Sequence, residues 1–113
     1  MTDCIFCKIA NKEMPTDIVY DDEEIVGFKS IRPEAPVHLL FIPKRHIEWK
    51  EEFNNKDLEL LVGLISVAKK IAVSQKIDEA CKFIFNVGKT GEIPHIHLHL
   101  LGGWKEEVPL NNI

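Results

Sequence analysis

The sequence predicts a single α+β domain, in which a mainly antiparallel sheet of about five strands carries one long helix. Short β-prone runs occur in both halves of the chain, only one stretch has a helical period, and 113 residues suffice for one core but not two. A doubly wound sheet needs several helices, and only one is legible.

Ile18-Val19-Tyr20, the acidic pair Asp21-Asp22, and Ile25-Val26-Gly27-Phe28 read as strand, turn and strand, a hairpin. Pro33 and Pro36 bracket a loop. The apolar run Val37 to Ile42 then suits a central strand stopped by Pro43, with His38 its one polar member. From Asn54 the period changes. Leu58, Leu61, Val62, Ile65, Ala68 and Ala72 recur at three and four residues, with Glu59, Lys69 and Lys70 among the polar positions between them, the period of one long helix. Asn54 followed by Asp57 resembles a capping box, and the acid suits the positive end of the helix dipole. Two strands close the chain, Lys82 to Val87 and His95 to Leu101. The segment Gly88 to Pro94 between them reads as a tight turn with exposed backbone amides.

Apolar residues make up 45% and charged residues 28% of the chain, the balance of a globular protein. A formal charge of −4 and a pI near 5.7 provide no diffuse positive field for nucleic acid or an anionic membrane, so any nucleotide must be held locally. The opening residues lack the basic and apolar stretches of a secretory signal, and no window has the length of a membrane span. The expectation is a cytoplasmic protein with reduced cysteines. Cys4 and Cys7 then read as a metal half-site rather than a disulfide, the alternative being two unrelated small residues near a frayed terminus. Cys81, ahead of an apolar run, reads as buried filler.

Residues 95 to 101 are His-Ile-His-Leu-His-Leu-Leu. In a strand the two-residue period sets His95, His97 and His99 on one face and Ile96, Leu98 and Leu100 on the other. A strand that packs its other face on a core gains nothing from three adjacent imidazoles. Two chemistries fit, a catalytic cluster or a zinc shared by alternating histidines.

This stretch resembles the signature of the histidine triad family, and the resemblance extends along the chain. Cys4-Ile5-Phe6-Cys7-Lys8-Ile9 is similar to the family's opening. Ala35-Pro36-Val37-His38 and Ile42-Pro43-Lys44-Arg45-His46-Ile47 are similar to its central strand and following turn. Leu101-Gly102-Gly103-Trp104 resembles the ending of the Hint-type phosphoramidases more than that of the diadenosine-polyphosphate hydrolases. The resemblance implies a HIT-like fold and makes His97 the nucleophile that attacks the α-phosphorus, forming a nucleotidyl-histidine that water hydrolyses. A neutral imidazole, with an unperturbed pKa of about 6.5, is competent for this near neutral pH. It further implies that His99 contacts the phosphate oxygens or the leaving group and that His38 completes the cluster. Asn86 and Gly88 match phosphate-facing positions, and Phe6, Ile9, Phe28 and Ile31 lie where a purine would pack, although the same side chains also suit a plain core.

Some family members, and the related galactose-1-phosphate uridylyltransferases, bind a structural zinc; the corresponding residues here are Cys4, Cys7, His46 and His95. That assignment leaves His97 and His99 for chemistry. Two departures bear on substrate. Where the family carries an Asp that holds the ribose hydroxyls, this chain has Ser30, and Gly91-Glu92-Ile93-Pro94 is shorter than the usual segment and puts Glu92 near a phosphate-facing amide position. The expected function is a nucleoside phosphoramidase, a homodimer by analogy. The alternatives are a dinucleotide or sugar-nucleotide hydrolase or transferase, and a zinc-stabilised nucleotide-binding module without efficient turnover.

Overall fold

A computed structural model describes residues 4–88 and 93–105. Within them the elements are α1 (Ile5–Ala10), β1 (Ile18–Asp21), β2 (Ile25–Lys29), β3 (Val37–Pro43), α2 (Asn55–Ser74), β4 (Cys81–Phe85) and β5 (Leu98–Gly102). The strands form one sheet in the order β1-β2-β3-β5-β4, antiparallel throughout. The expected hairpin and central strand are both present.

β3 reads as a continuous apolar run because both faces of the sheet are covered. Leu39 and Phe41 join Ile25, Leu98 and Leu100 in a cluster under Leu64, Ala68 and Ala72 of α2. Leu40 and Ile42 join Val26 and Phe28 on the opposite face, where Phe6, Ile9 and Ala10 of α1 close over them. Gly27 leaves room for this packing. A Cβ built there lies 2.5 Å from Phe41 Cε1 and 2.6 Å from Cδ1, and the Phe41 ring has 0% exposure, so it cannot swing out to water. We expect Gly27→Ala to cost about 1–3 kcal/mol and lower the melting temperature by about 5 °C or more. A calorimetric scan checks this, and an unchanged transition counts against the packing described.

The short helix α1 has no counterpart in the sequence expectation, because six residues carry too little periodicity to be read. It is nucleated by Cys4, whose Sγ accepts from Cys7 N at 3.4 Å. Not every apolar residue of the α2 period is buried. Leu58, Val62 and Ile65 are exposed, and the buried stripe is Leu60, Leu64, Val67, Ala68 and Ala72. α2 is apolar on more than one stripe, so its period fixes a helix but not which face turns inward. The last two strands are shorter than expected. β4 ends at Phe85, before Asn86 and Val87, and His95 and His97 lie in the bend ahead of β5.

At the start of α2, Asn54 Oδ1 accepts from Asp57 N at 2.8 Å, but the Asp57 carboxylate turns to Arg45 Nη2 at 2.8 Å and Lys50 Nζ at 2.9 Å. The capping box is therefore made in one direction, and the side chain, 2% exposed, anchors the loop after β3 to the helix instead. Arg45 and then Lys50 hold this carboxyl below its ordinary range. A lowered pKa contributes stability above the unfolded value and loses it as pH falls through the folded one. Asp57→Asn should lower the melting temperature by several degrees at pH 7, and its difference from wild type should close below about pH 4. Melting curves of both proteins across that range test the sign.

Candidate active site and metal centre

The histidines lie on the α1 face of the sheet. Ile96, Leu98 and Leu100 fill the α2-side cluster, while the Phe6 ring packs edge-on against His95 at 5.9 Å and His97 at 4.9 Å. The alternation expected from the sequence holds, although the β5 ladder begins only at Leu98.

Two main-chain groups determine which nitrogen of His97, His38 and His99 carries its proton. A carbonyl only accepts, so His97 Nδ1 donates to His95 O at 2.7 Å, and the lone pair of the neutral His97 ring lies on Nε2. An amide only donates. Glu34 N donates to His38 Nδ1 at 3.0 Å, which puts the proton of neutral His38 on Nε2; that nitrogen donates to His99 Nδ1 at 2.9 Å, and His99 in turn carries its proton on Nε2. The hydrogen bonds thus run in one direction, from the backbone through His38 to His99. The His99 ring lies 4.9 Å from that of His97, so an attacking lone pair and an N–H donor belong to neighbouring side chains.

His38 and His99 border a cavity of about 390 Å³ whose apolar lining includes Phe6, Ile9, Phe28 and Leu40. Ser30 and Ile31 line it too, and Ile31 is 84% exposed. The structure therefore brings His38, His99, Phe6, Ile9, Phe28, Ser30 and Ile31 to one cavity, with buried His97 touching Phe6 and His99. Asn86 follows the Phe85–Leu98 pair that ends the β4–β5 ladder, and Gly88 has φ +83; neither lines the cavity. Glu92 lies outside the described residues. Lys29, at the end of β2, and Arg32 and Glu34, in the turn after it, also line the cavity; the sequence alone does not reveal this, because a strand end and an irregular turn have no period to give their direction.

On the other side of His95, one ligand atom from each of Cys4, Cys7, His46 and His95 lies within 4.8 Å of the others. Cys4 Sγ is 3.3 Å from His95 Nδ1, and Cys7 Sγ is 3.2 Å from His46 Nδ1 and 3.6 Å from His95 Nδ1. Tetrahedral zinc, with bonds of about 2.3 Å to sulfur and about 2.0 Å to nitrogen, separates S from N by about 3.6 Å, so the four side chains can hold a metal ion. Both imidazoles offer Nδ1. His95 Nε2 donates to Pro43 O at 2.8 Å, and His46 Nε2 meets Glu48 Oε2 at 2.8 Å, an outer carboxylate not foreseen from the sequence. Burial pushes the His95 pKa down to about 4, which keeps the ring neutral and its Nδ1 lone pair available. Burial and the neighbouring Cys4 raise the Cys7 thiol to about 11.

Fold, histidine cluster and cysteine pair define a class: the chain belongs to the histidine triad family, within the HIT hydrolase superfamily. Residues 3–109 match the family profile described as scavenger mRNA decapping enzyme C-term binding. The chain is similar to protein HitA of Neisseria gonorrhoeae, 41% identical over 104 residues that cover 90% of this chain and 97% of that one. Among solved structures, it resembles a HIT family hydrolase from Legionella pneumophila Philadelphia 1 at 45% identity and TM-score 0.85, with coverage of 95% and 98%. It also resembles a zinc-bound histidine triad family protein from Mycobacterium smegmatis at 27% identity and TM-score 0.81, with coverage of 96% and 81%.

Proposed function

We propose that this chain is a Hint-like nucleoside phosphoramidase that cleaves a P–N bond at the α-phosphorus of a purine nucleotide. The observation that carries the reading is the His97 Nδ1 bond to His95 O, which turns the Nε2 lone pair into a nucleophile beside the N–H donor of His99. The base packs in the apolar cavity, whose volume is in the range of small-ligand sites. His97 attacks phosphorus, the bond to the amine breaks, and water hydrolyses the nucleotidyl-histidine. His99, oriented by His38, stabilises charge on the phosphoryl oxygens. Asn86 and Gly88 serve the phosphate side. A single-turnover assay with substrate labelled in the nucleotide tests the reading: label trapped on His97 is the expected result, and turnover without it excludes the mechanism.

A second reading is favoured by the decapping-enzyme description of the matched profile, namely hydrolysis of a dinucleotide phosphoanhydride. Leaving-group preference, amine against phosphate, separates the two.

We take the metal to be structural zinc, because two thiolates and two imidazoles suit it and leave no open position. It supplies no chemistry to phosphorus and holds His95 in place. None of Cys4, Cys7 and Cys81 is disulfide-bonded, which supports a reducing cytoplasm, and among the described residues no helix is long and apolar enough to cross a membrane. For the homodimer, the support is the exposed stripe Leu58, Val62 and Ile65 on α2, with Val62 65% exposed. Val62→Glu should halve the mass in solution without unfolding the chain, as light scattering will read; a dimer that survives moves the interface elsewhere.

A further inference from the structure

We infer that the cavity selects a nucleotide bearing a second phosphate on a ribose hydroxyl, held by Arg32 and Lys29; this rests on the nucleotide reading above. The chain runs from Phe28, in the apolar wall, through Lys29, Ser30, Ile31 and Arg32 to Glu34, whose amide is bonded to His38. Ser30 N also donates to His38 O at 3.0 Å, so the turn spans the distance between the base site and the histidine pair. A sugar joining base to phosphorus lies along this turn.

A ribose diol is held best by a carboxylate that accepts from both hydroxyls. Ser30 provides instead one hydroxyl, and its Oγ already accepts from Arg32 N at 3.1 Å. Lys29 and Arg32 line the same wall. The ion pairs among the described residues engage Lys12, Lys44, Arg45, His46 and Lys50, and neither of these two cations. Glu34 is the one carboxylate among the described lining residues, which therefore include two cations and one anion. The choice between an acid and an arginine at a ribose is what separates dinucleotide sites for a free 2′-hydroxyl from those for a 2′-phosphate. Here the side chains present are those that suit the phosphate, since guanidinium pairs with phosphate through two parallel hydrogen bonds.

The test is titration calorimetry of the purified protein with AMP, ADP, adenosine 2′,5′-bisphosphate and adenosine 3′,5′-bisphosphate. One of the two bisphosphates should bind at least about tenfold more tightly than both AMP and ADP, and the isomer identifies the hydroxyl. The advantage should shrink in high salt. Arg32→Gln, an exposed position, should bring the ratio of bisphosphate to AMP affinity to within about twofold of unity. Equal gains for ADP and the bisphosphates would show attraction to total charge alone and overturn the subsite. Equal affinities for all four overturn it too, and leave the nucleotide reading standing. Failure of all four to bind overturns both.

Discussion

Replacing His97 by alanine is expected to lower kcat/KM at least about a thousandfold while nucleotide affinity stays within about tenfold. The reason is where the side chain sits. His97 is 3% exposed, is held through Nδ1 by a main-chain carbonyl, and adds little to the cavity wall that receives the base. In the proposed mechanism it acts on phosphorus in the transition state, so its loss should remove rate and leave most of the binding. His99→Ala should cost about 100-fold, because it deletes one N–H donor and spares the attacking atom. Steady-state rates paired with calorimetric affinities separate these effects. A His97→Ala protein with wild-type turnover would falsify the nucleophile assignment, and equal losses in affinity and rate would make His97 a binding residue.

Stripping the metal is the second large effect. Protein made without a histidine tag should carry about one zinc per chain, and chelation should lower the melting temperature by about 10 °C or more. The four ligands come from α1 and the residue before it, from the loop after β3 and from the bend before β5. Without the ion, α1 is left joined to the other two segments at that point by weak thiol–imidazole hydrogen bonds and the Phe6–His95 ring contact, while the His95 Nε2–Pro43 O and Ile96 N–Ile47 O bonds still tie the loop to the bend. Glu48→Gln should raise the zinc dissociation constant about tenfold, since the carboxylate fixes the His46 tautomer and raises its basicity. Metal analysis and chelator competition measure both quantities. Metal-free protein from zinc-replete, reducing medium, or a melting point unmoved by chelation, would reduce Cys4 and Cys7 to a helix cap.

The parts of this molecule legible in its sequence are those written in local period. Alternating histidines and apolar residues placed His97 and His99 on the face opposite Leu98 and Leu100, and the apolar run Val37 to Ile42 announced a covered central strand. The metal set was half legible: Cys4 and Cys7 are close in sequence, whereas His46 and His95 join them only through the sheet and were found by resemblance. Other features escaped, α1 and the Glu48 carboxylate beside His46 among them. α2 carries apolar residues on two stripes, so its period left the inward face open, and tertiary packing chose Leu60, Leu64 and Val67 over Leu58, Val62 and Ile65. Asp57 looked like a capping acid and proved to be the anchor of a loop, because Arg45 and Lys50 approach it from outside the helix. Lys29, Arg32 and Glu34 line the cavity from the end of β2 and the irregular turn after it, where directions are determined only by the fold.

Glu34 N–H, His95 C=O and Pro43 C=O between them orient His38, His97 and His95, and all three are main-chain groups. Side-chain scanning is therefore blind to them. Alanine at position 34 keeps the amide that faces His38, and at position 34 only proline removes it. The tautomers of these three histidines are thus inherited from the backbone path, and drift in the neighbouring side chains leaves them intact. An amide-to-ester replacement at residue 34, made by chemical ligation, deletes that one donor and leaves every side chain in place. It would release the His38–His99 pair from its single allowed direction, a change that no genetically encoded substitution makes without also altering a side chain.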